Sequence, residues 1–301
     1  MGPLLILLTT FLWSFVPFLT KETLPYFAPE WIATMRLLAG GLALLPFAFG
    51  AHLRPGPRAL RLVLLGGAVG IAGNYVFYSF AIRWTTPSAG NVLVQIEVIG
   101  LVILGVLLLR ESLGPLKIMG TLLALLGVFL VAWRGETLSH LLDSRYFRGN
   151  MVMLLAGLSW SWYGLAQKVV ARYRPGAAGA AVMIFTGGVM SAVFALSTGR
   201  PFAVAPAGLV PWLELAALAL ACTGAAYLFF AWGIARMEAS SAAMITTTLP
   251  VFTIIESWLL RFEPITGWLL VGAALVVAGV LLVVWDTGRR NHEAAAGARR
   301  V

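Results

Sequence analysis

Apolar runs of about 20 residues recur along the whole chain, separated by short stretches that carry charge, proline or glycine. An α-helix needs about 20 consecutive apolar residues to cross the hydrocarbon core of a bilayer. Ten runs fit, at 3–20, 31–50, 60–82, 87–109, 114–133, 149–168, 178–198, 209–233, 239–260 and 265–285. Composition agrees, because 60% of the 301 residues are hydrophobic and only 33 are charged, 21 basic and 12 acidic. A soluble domain has about a quarter of its residues charged, and this chain lacks the charge to cover so large an apolar core. Lipid is therefore its solvent, which excludes a soluble enzyme, a DNA-binding domain and a disordered chain. The expected fold is an all-α membrane protein of ten transmembrane helices. The opening MGPLLILLTTFLW has neither a positive leader nor a small-residue cleavage signal before Thr20, so it reads as the first permanent helix.

Absences narrow the chemistry. One cysteine, Cys222, permits no intrachain disulfide, and His52, His140 and His292 all fall in connections or in the tail. No phosphate-cradling Gly-rich loop, strand-to-helix serine elbow or zinc-binding HExxH occurs. No catalytic residue, metal or cofactor is expected, and neither ATP-driven pumping nor intramembrane hydrolysis. The net charge of +9 does not point to nucleic acid, since no basic cluster is interleaved with stacking aromatics. It reports orientation instead. With the N-terminus cytoplasmic, 13 Lys and Arg fall in the inside segments and seven outside, Arg36 remaining within a span. Basic residues are retained on the cytoplasmic face, so both termini are expected there.

The two halves repeat. Trp13, Ser14 and Lys21 recur 147 residues later as Trp160, Ser161 and Lys168. Tyr75, Glu111, Gly120, Gly127 and Trp133 recur 152 residues later as Tyr227, Glu263, Gly272, Gly279 and Trp285. This divides the chain into a first repeat (1–133), a connecting loop (134–148), a second repeat (149–285) and a basic cytoplasmic tail (286–301). Each unit has five helices, an odd number, so the second enters the membrane from the opposite face. Two inverted five-helix repeats are an architecture of secondary transporters, in which similar halves exchange conformations about a midplane site.

The first repeat closes with PSAGNVLVQIEVIGLVILGVLLLRESLGPLKIMGTLLALLGVFLVAW and the second with ASSAAMITTTLPVFTIIESWLLRFEPITGWLLVGAALVVAGVLLVVW. Both resemble the EamA repeat of the drug/metabolite transporter superfamily, as do LWSFVPF and MRLLAGGLALL. The resemblance covers nearly the whole chain before the tail. It implies ten helices and export of amino acids or other small metabolites across a bacterial inner membrane. The family proline is present as Pro250, but the matching first-half position holds Glu97 or Val98.

Several residues are candidates for the site. Glu97 lies near the bilayer centre, where an acid costs about 2.5–3.5 kcal/mol on the insertion scale. It is either a site for a substrate ammonium or a coupling proton, or a protonated group bonded to a neighbouring helix. Ser88, Asn91 and Gln95 make a polar stripe, from which Glu97 points away in an unbroken helix at ~100° per residue. Arg36 and Glu256 lie at similar depth in spans two and nine and suit a cross-half ion pair, structural or gating. Trp13, Asn74, Tyr75, Tyr78, Trp160 and Tyr227 suit a cavity that holds an amphipathic solute, or else fill helix contacts or mark the membrane interface. Thr246, Pro250, Thr253 and Ser257 share one face of span nine, and Pro17 and Pro250 are hinge candidates or static kinks.

The expected partners are a small-molecule substrate and the lipid bilayer, not nucleic acid, with a monomer or homodimer as the assembly. The expected location is a bacterial inner membrane. Export of neutral or aromatic amino acids by alternating access is the first reading. Proton-coupled efflux of lipophilic cations through Glu97 is the rival within transport, and a scaffold or lipid enzyme the rival outside it.

Overall fold

The computed structural model describes residues 1–49, 58–109, 114–133, 145–173, 177–234, 236, 245–260 and 262–298. Among them the chain is helical nearly throughout. The elements are α1 (Gly2–Ser14), α2 (Val16–Thr23), α3 (Pro29–Phe49), α4 (Arg58–Ala81), α5 (Pro87–Leu93), α6 (Ile96–Leu109) and α7 (Pro115–Trp133). They continue with α8 (Arg145–Tyr173), α9 (Ala178–Ser197), α10 (Leu209–Ala216), a π-helical segment (Ala217–Ala225), α11 (Ala226–Ile234), α12 (Leu249–Leu259) and α13 (Gly267–Ala298). Eight helical stretches are long and apolar enough to cross a membrane. The expected runs 149–168 and 239–260 are not among them. The middle of α8 is taken up by Ser159, Trp160, Ser161, Trp162 and Tyr163, and in the other run the apolar helix that is described spans only Leu249–Leu259.

The interior is mostly apolar, as in a soluble protein, but the outer flanks are apolar too. Leu42, Val69, Leu107, Phe129, Leu196 and Val271 are each at least half exposed, while Glu30, Arg36, Asn74, Asn91, Gln95 and Thr253 are buried. Apolar flanks of that extent are stable only against lipid. The polar groups inside mark where the chain holds its chemistry.

Proline places several helix starts. Its missing N–H costs nothing in a first turn and its φ is already helical, and it opens or nearly opens α2, α3, α5, α7 and α12. Pro17 and Pro250 therefore sit in the first turns of restarted helices, after interruptions at Phe15 and at Thr247–Thr248, not in the middle of continuous rods. Span four is also interrupted, at Val94–Gln95, which corrects the unbroken helix assumed from sequence. There the amides of Gln95, Glu97 and Val98 bond to carbonyls three residues back, so the chain winds more tightly than an α-helix. No proline marks this break. At the far end, α13 continues to Ala298 through the stretch expected as a separate tail, which is rich in alanine and other helix formers.

The helices pack in a regular scheme: α4 against α8 and α1 against α11, α3 against α9, α7 against α13, α6 against α8 and α1 against α12. The α7–α13 contact depends on glycine. A Cβ on Gly127 would lie 2.5 Å from the Gly272 carbonyl oxygen, and one on Gly120 would lie 2.5 Å from that of Gly279. The glycine pairs of the repeat thus let two backbones touch. Gly127→Val is expected to cost about 1–3 kcal/mol through overpacking and to lower the thermal midpoint in detergent. Gly66→Val, facing open space, leaves it unchanged.

One end of the bundle is tied across the chain. Phe27 and Ala203 form an antiparallel β-bridge, with Ala28 N–H donating to the Phe202 carbonyl (3.2 Å) and Val204 N–H to the Tyr26 carbonyl (2.8 Å). Phe27, Phe202 and Trp212 cluster there, tilted or edge-on to one another, with ring centroids 4.9–5.6 Å apart. Lys21 Nζ donates to the Thr85 carbonyl (2.8 Å), and Glu263 accepts from the Ser88 amide (2.7 Å) and the Ser257 hydroxyl (2.9 Å).

Candidate functional site

Four interrupted or irregular backbone stretches frame the polar interior: Phe15, Val94–Gln95, the π segment and Thr247–Thr248. Such stretches survive in lipid only where protein covers them or they line a cavity. Along them the aromatic candidates meet. The Trp13 ring lies 6.1 Å from Trp160, 5.5 Å from Tyr227 and 5.5 Å from Phe230. Trp160 and Tyr227 are 6.0 Å apart, and Tyr163 joins both at 5.1 and 6.2 Å. Residues from α1, α8 and α11 thus form one cluster, half of its ring pairs edge to face, an arrangement that the ring quadrupoles favour, and half tilted.

A polar chain runs beside it. Tyr78 Oη donates to Asn91 Oδ1 (3.2 Å), Asn91 Nδ2 donates to Thr253 Oγ1 (2.7 Å), and Thr253 Oγ1 donates to the Leu249 carbonyl (3.1 Å). Three candidates from α4, α5 and α12 are therefore brought into contact. Tyr75 Oη reaches Thr223 Oγ1 at 3.4 Å, and the Thr223 hydroxyl donates to the Leu218 carbonyl, five residues back, as π winding allows. Asn74 points elsewhere and fastens α4 to the Ala156 carbonyl of α8 at 2.9 Å. Gln95 is buried at the break, and Glu97 opens α6, its carbonyl accepting from Ser161 Oγ at 2.9 Å. Neither joins the Tyr78–Asn91–Thr253 chain.

The expected ion pair between Arg36 and Glu256 is not formed. The Arg36 guanidinium lies over the Tyr75 ring, 4.4 Å from its centroid, and Glu256 Oε1 accepts from Ser14 Oγ at 2.7 Å. Both side chains are buried, at 4% and 7% exposure, and Arg36 Nε and Glu256 Oε2 each have no hydrogen-bond partner. Depth along two helices is readable from sequence, but not which way each side chain turns. Here Arg36 turns to the Tyr75 ring and Glu256 to the Ser14 hydroxyl.

Ser14, Tyr163, Cys222 and Thr223 were not singled out from sequence as site residues. Ser14 follows Trp13 in the repeated Trp–Ser pair, and Tyr163 lies one helical turn beyond Trp160, so both had a usable signal. Cys222 and Thr223 had none, because their position depends on the π winding. Away from the interior, a groove of about 600 Å³ follows Pro115, Ile118, Met119, Leu122, Leu123 and Leu126 along α7. Its walls are apolar side chains on a flank suited to lipid tails. Among the described residues no group of His, Cys, Asp and Glu could hold a metal.

Comparison with known proteins adds family context to this geometry. The model of the EamA-like transporter family matches residues 1–133 and 147–285. The chain is 27% identical to the uncharacterized inner membrane transporter YhbE of Escherichia coli, over 97% of this chain and 94% of that protein. It is also 27% identical to the uncharacterized transporter YyaM of Bacillus subtilis, over 87% of each. A WAT1-related chloroplastic protein of Arabidopsis thaliana is 25% identical, over 92% of this chain and 68% of its own length. A solved crystal structure shares the fold with a TM-score of 0.65 at 22% identity, covering 96% of this chain and 98% of that one.

Proposed function

The chain belongs to the EamA-like transporter family and is a multi-pass membrane protein; from that premise we propose that it exports small amphipathic metabolites, foremost neutral and aromatic amino acids. The mechanism is alternating access between two inverted five-helix repeats, 1–133 and 149–285, in a ten-helix bundle. The repeated residues at fixed offsets support this, as do the fourth-helix breaks at Val94–Gln95 and Thr247–Thr248, which lie 153 residues apart. The packing scheme also supports it, because α4 on α8 has its counterpart in α1 on α11, and α6 on α8 in α1 on α12. The Lys and Arg count favours cytoplasmic termini, and the naming of YhbE as an inner membrane transporter favours that membrane.

The observation that carries the reading is the aromatic cluster. Trp13 from the first repeat and Trp160 and Tyr227 from the second meet among broken helices, where transporters of this architecture hold their substrates. Ring faces suit an apolar or aromatic side chain, and the hydroxyls of Tyr78 and Thr253 suit a polar end. The experiment is a flux screen of the amino acids with purified protein in liposomes, with and without a pH gradient. Counterflow of aromatic and large neutral amino acids is expected. Absence of flux for every amino acid, with another solute class moving, removes the assignment.

A second reading rests on Glu97, an acid in the first turn of α6 next to the break. It makes the protein a proton-coupled efflux transporter for lipophilic cations. Glu97→Gln then abolishes cation efflux and its pH dependence, whereas unchanged flux in that variant eliminates the reading.

A further inference from the structure

Arg36 is a charged side chain within the apolar stretch Pro29–Phe47, and it is only 4% exposed. A guanidinium carries five N–H donors in a planar fork. Among the described residues none accepts a hydrogen bond from Arg36 and no carboxylate pairs with it, and its Nε is enclosed and bare. What holds it is the Tyr75 ring, whose centroid lies 4.4 Å from Cζ. A ring face attracts a cation but accepts no conventional hydrogen bond from it, and the cost of taking an ion out of water is offset only when those bonds are met. The ring therefore orients the guanidinium without satisfying it.

The surroundings connect this cation to the aromatic site. Gly40 lies one turn beyond Arg36 on the same face of α3. A Cβ there would meet the Thr223 side chain at 2.7 Å and the Ala219 carbonyl oxygen at 2.8 Å, so that face is laid on the π-helical segment. Such winding is frequent at functional sites. Tyr75 bridges the two, its ring against Arg36 and its hydroxyl 3.4 Å from Thr223 Oγ1. Tyr75 also belongs to the buried cluster that holds Tyr163 and Tyr227, with Trp13 and Trp160 packed against it. One residue thus links an unsatisfied cation to the rings.

We propose that Arg36 is the carboxylate subsite of the transport pathway, positioned by Tyr75, and that its missing acceptors are the two carboxylate oxygens of the solute. The assignment rests on the amino-acid reading above and deepens it by naming the group that reads one end of the substrate main chain. It restricts substrates to carboxylates with an apolar or aromatic body. An amine without a carboxylate leaves the buried guanidinium unmatched and is rejected, which sets the subsite against the lipophilic-cation reading.

The test is binding of three probes to the purified full-length chain in detergent: L-phenylalanine, 3-phenylpropanoate, which lacks the ammonium, and phenethylamine, which lacks the carboxylate. Wild-type protein is expected to bind both carboxylates about tenfold or more tighter than phenethylamine, as a bidentate charge-assisted pair provides. Arg36→Gln is expected to erase that preference by weakening the carboxylates while phenethylamine is unchanged. Arg36→Lys keeps the charge but not the fork; it narrows the preference without erasing it, and decides the matter if the glutamine variant does not fold. Tyr75→Leu narrows the preference as well, and Tyr75→Phe, which restores the ring face, restores it. A purely structural arginine weakens all three probes alike. The subsite is overturned if wild type binds phenethylamine as tightly as phenylalanine, if the Arg36 variants weaken all three probes equally, or if none of the three binds; the amino-acid reading survives the first two results. That reading fails, with the subsite standing, if 3-phenylpropanoate binds in an Arg36-dependent manner and phenylalanine does not.

Discussion

A chain carrying both Phe27→Cys and Ala203→Cys loses its flux on oxidation, down to the leak of protein-free liposomes, and recovers it when reductant is added. The two positions face each other in the β-bridge at one end of the bundle. Their flanking residues exchange the hydrogen bonds, Ala28 to Phe202 and Val204 to Tyr26, which makes them a non-hydrogen-bonded antiparallel pair with Cα atoms about 4.5 Å apart. That separation falls inside the ~4.4–6.8 Å that a disulfide spans. The only native thiol, Cys222, is buried at 3% exposure and does not compete. Alternating access requires each end of the bundle to open in turn, and a covalent staple across this one holds it shut. Each single variant is expected to keep its rate under oxidation. Full flux through the crosslinked protein would mean that this end never opens, and the alternating mechanism would be lost.

Trp160→Ala lowers flux of aromatic amino acids by about tenfold or more, while Trp160→Phe keeps most of it. Trp160 touches Trp13, Tyr163 and Tyr227, so its removal dismantles the cluster from its centre. Each such ring pair contributes about 0.5–1.5 kcal/mol beyond area burial, and three pairs exceed the 1.4 kcal/mol that corresponds to tenfold. Trp160 is only partly buried, so the stability loss stays below the ~3–5 kcal/mol of a fully enclosed tryptophan. Flux and thermal midpoint are therefore expected to separate. The apparent KM for phenylalanine rises, and that for a small neutral amino acid changes less. Equal loss for both would assign the cluster to packing alone.

How far sequence reaches differs between the membrane fold and its interior. Apolar runs place most helices to within a few residues, because in lipid every backbone polar group must be satisfied within its own helix. Close packing at Gly120, Gly127, Gly272 and Gly279 was legible, since glycine seven residues apart leaves one face bare, but that α7 and α13 are each other's partners was not. The meeting of Trp13 with Trp160 was foreshadowed by their matching places in the repeat. The break at Val94–Gln95 was not legible, because no proline or glycine lies at it. Glu97 and Arg36 mark the same limit, since a charge inside a span is conspicuous but its partner depends on rotamer and neighbours.

Sequence by itself determined that this protein is a bundle of apolar helices suited to lipid, because hydrophobic length is a property of a line. Tertiary structure alone decided that Arg36 lies on Tyr75 and Glu256 on Ser14 with no bond between them, and that Thr223 turns toward Tyr75 through a π-helical stretch. Those outcomes are competitions among groups far apart in the chain. They are settled by which contact is nearer and better aligned once the helices have packed.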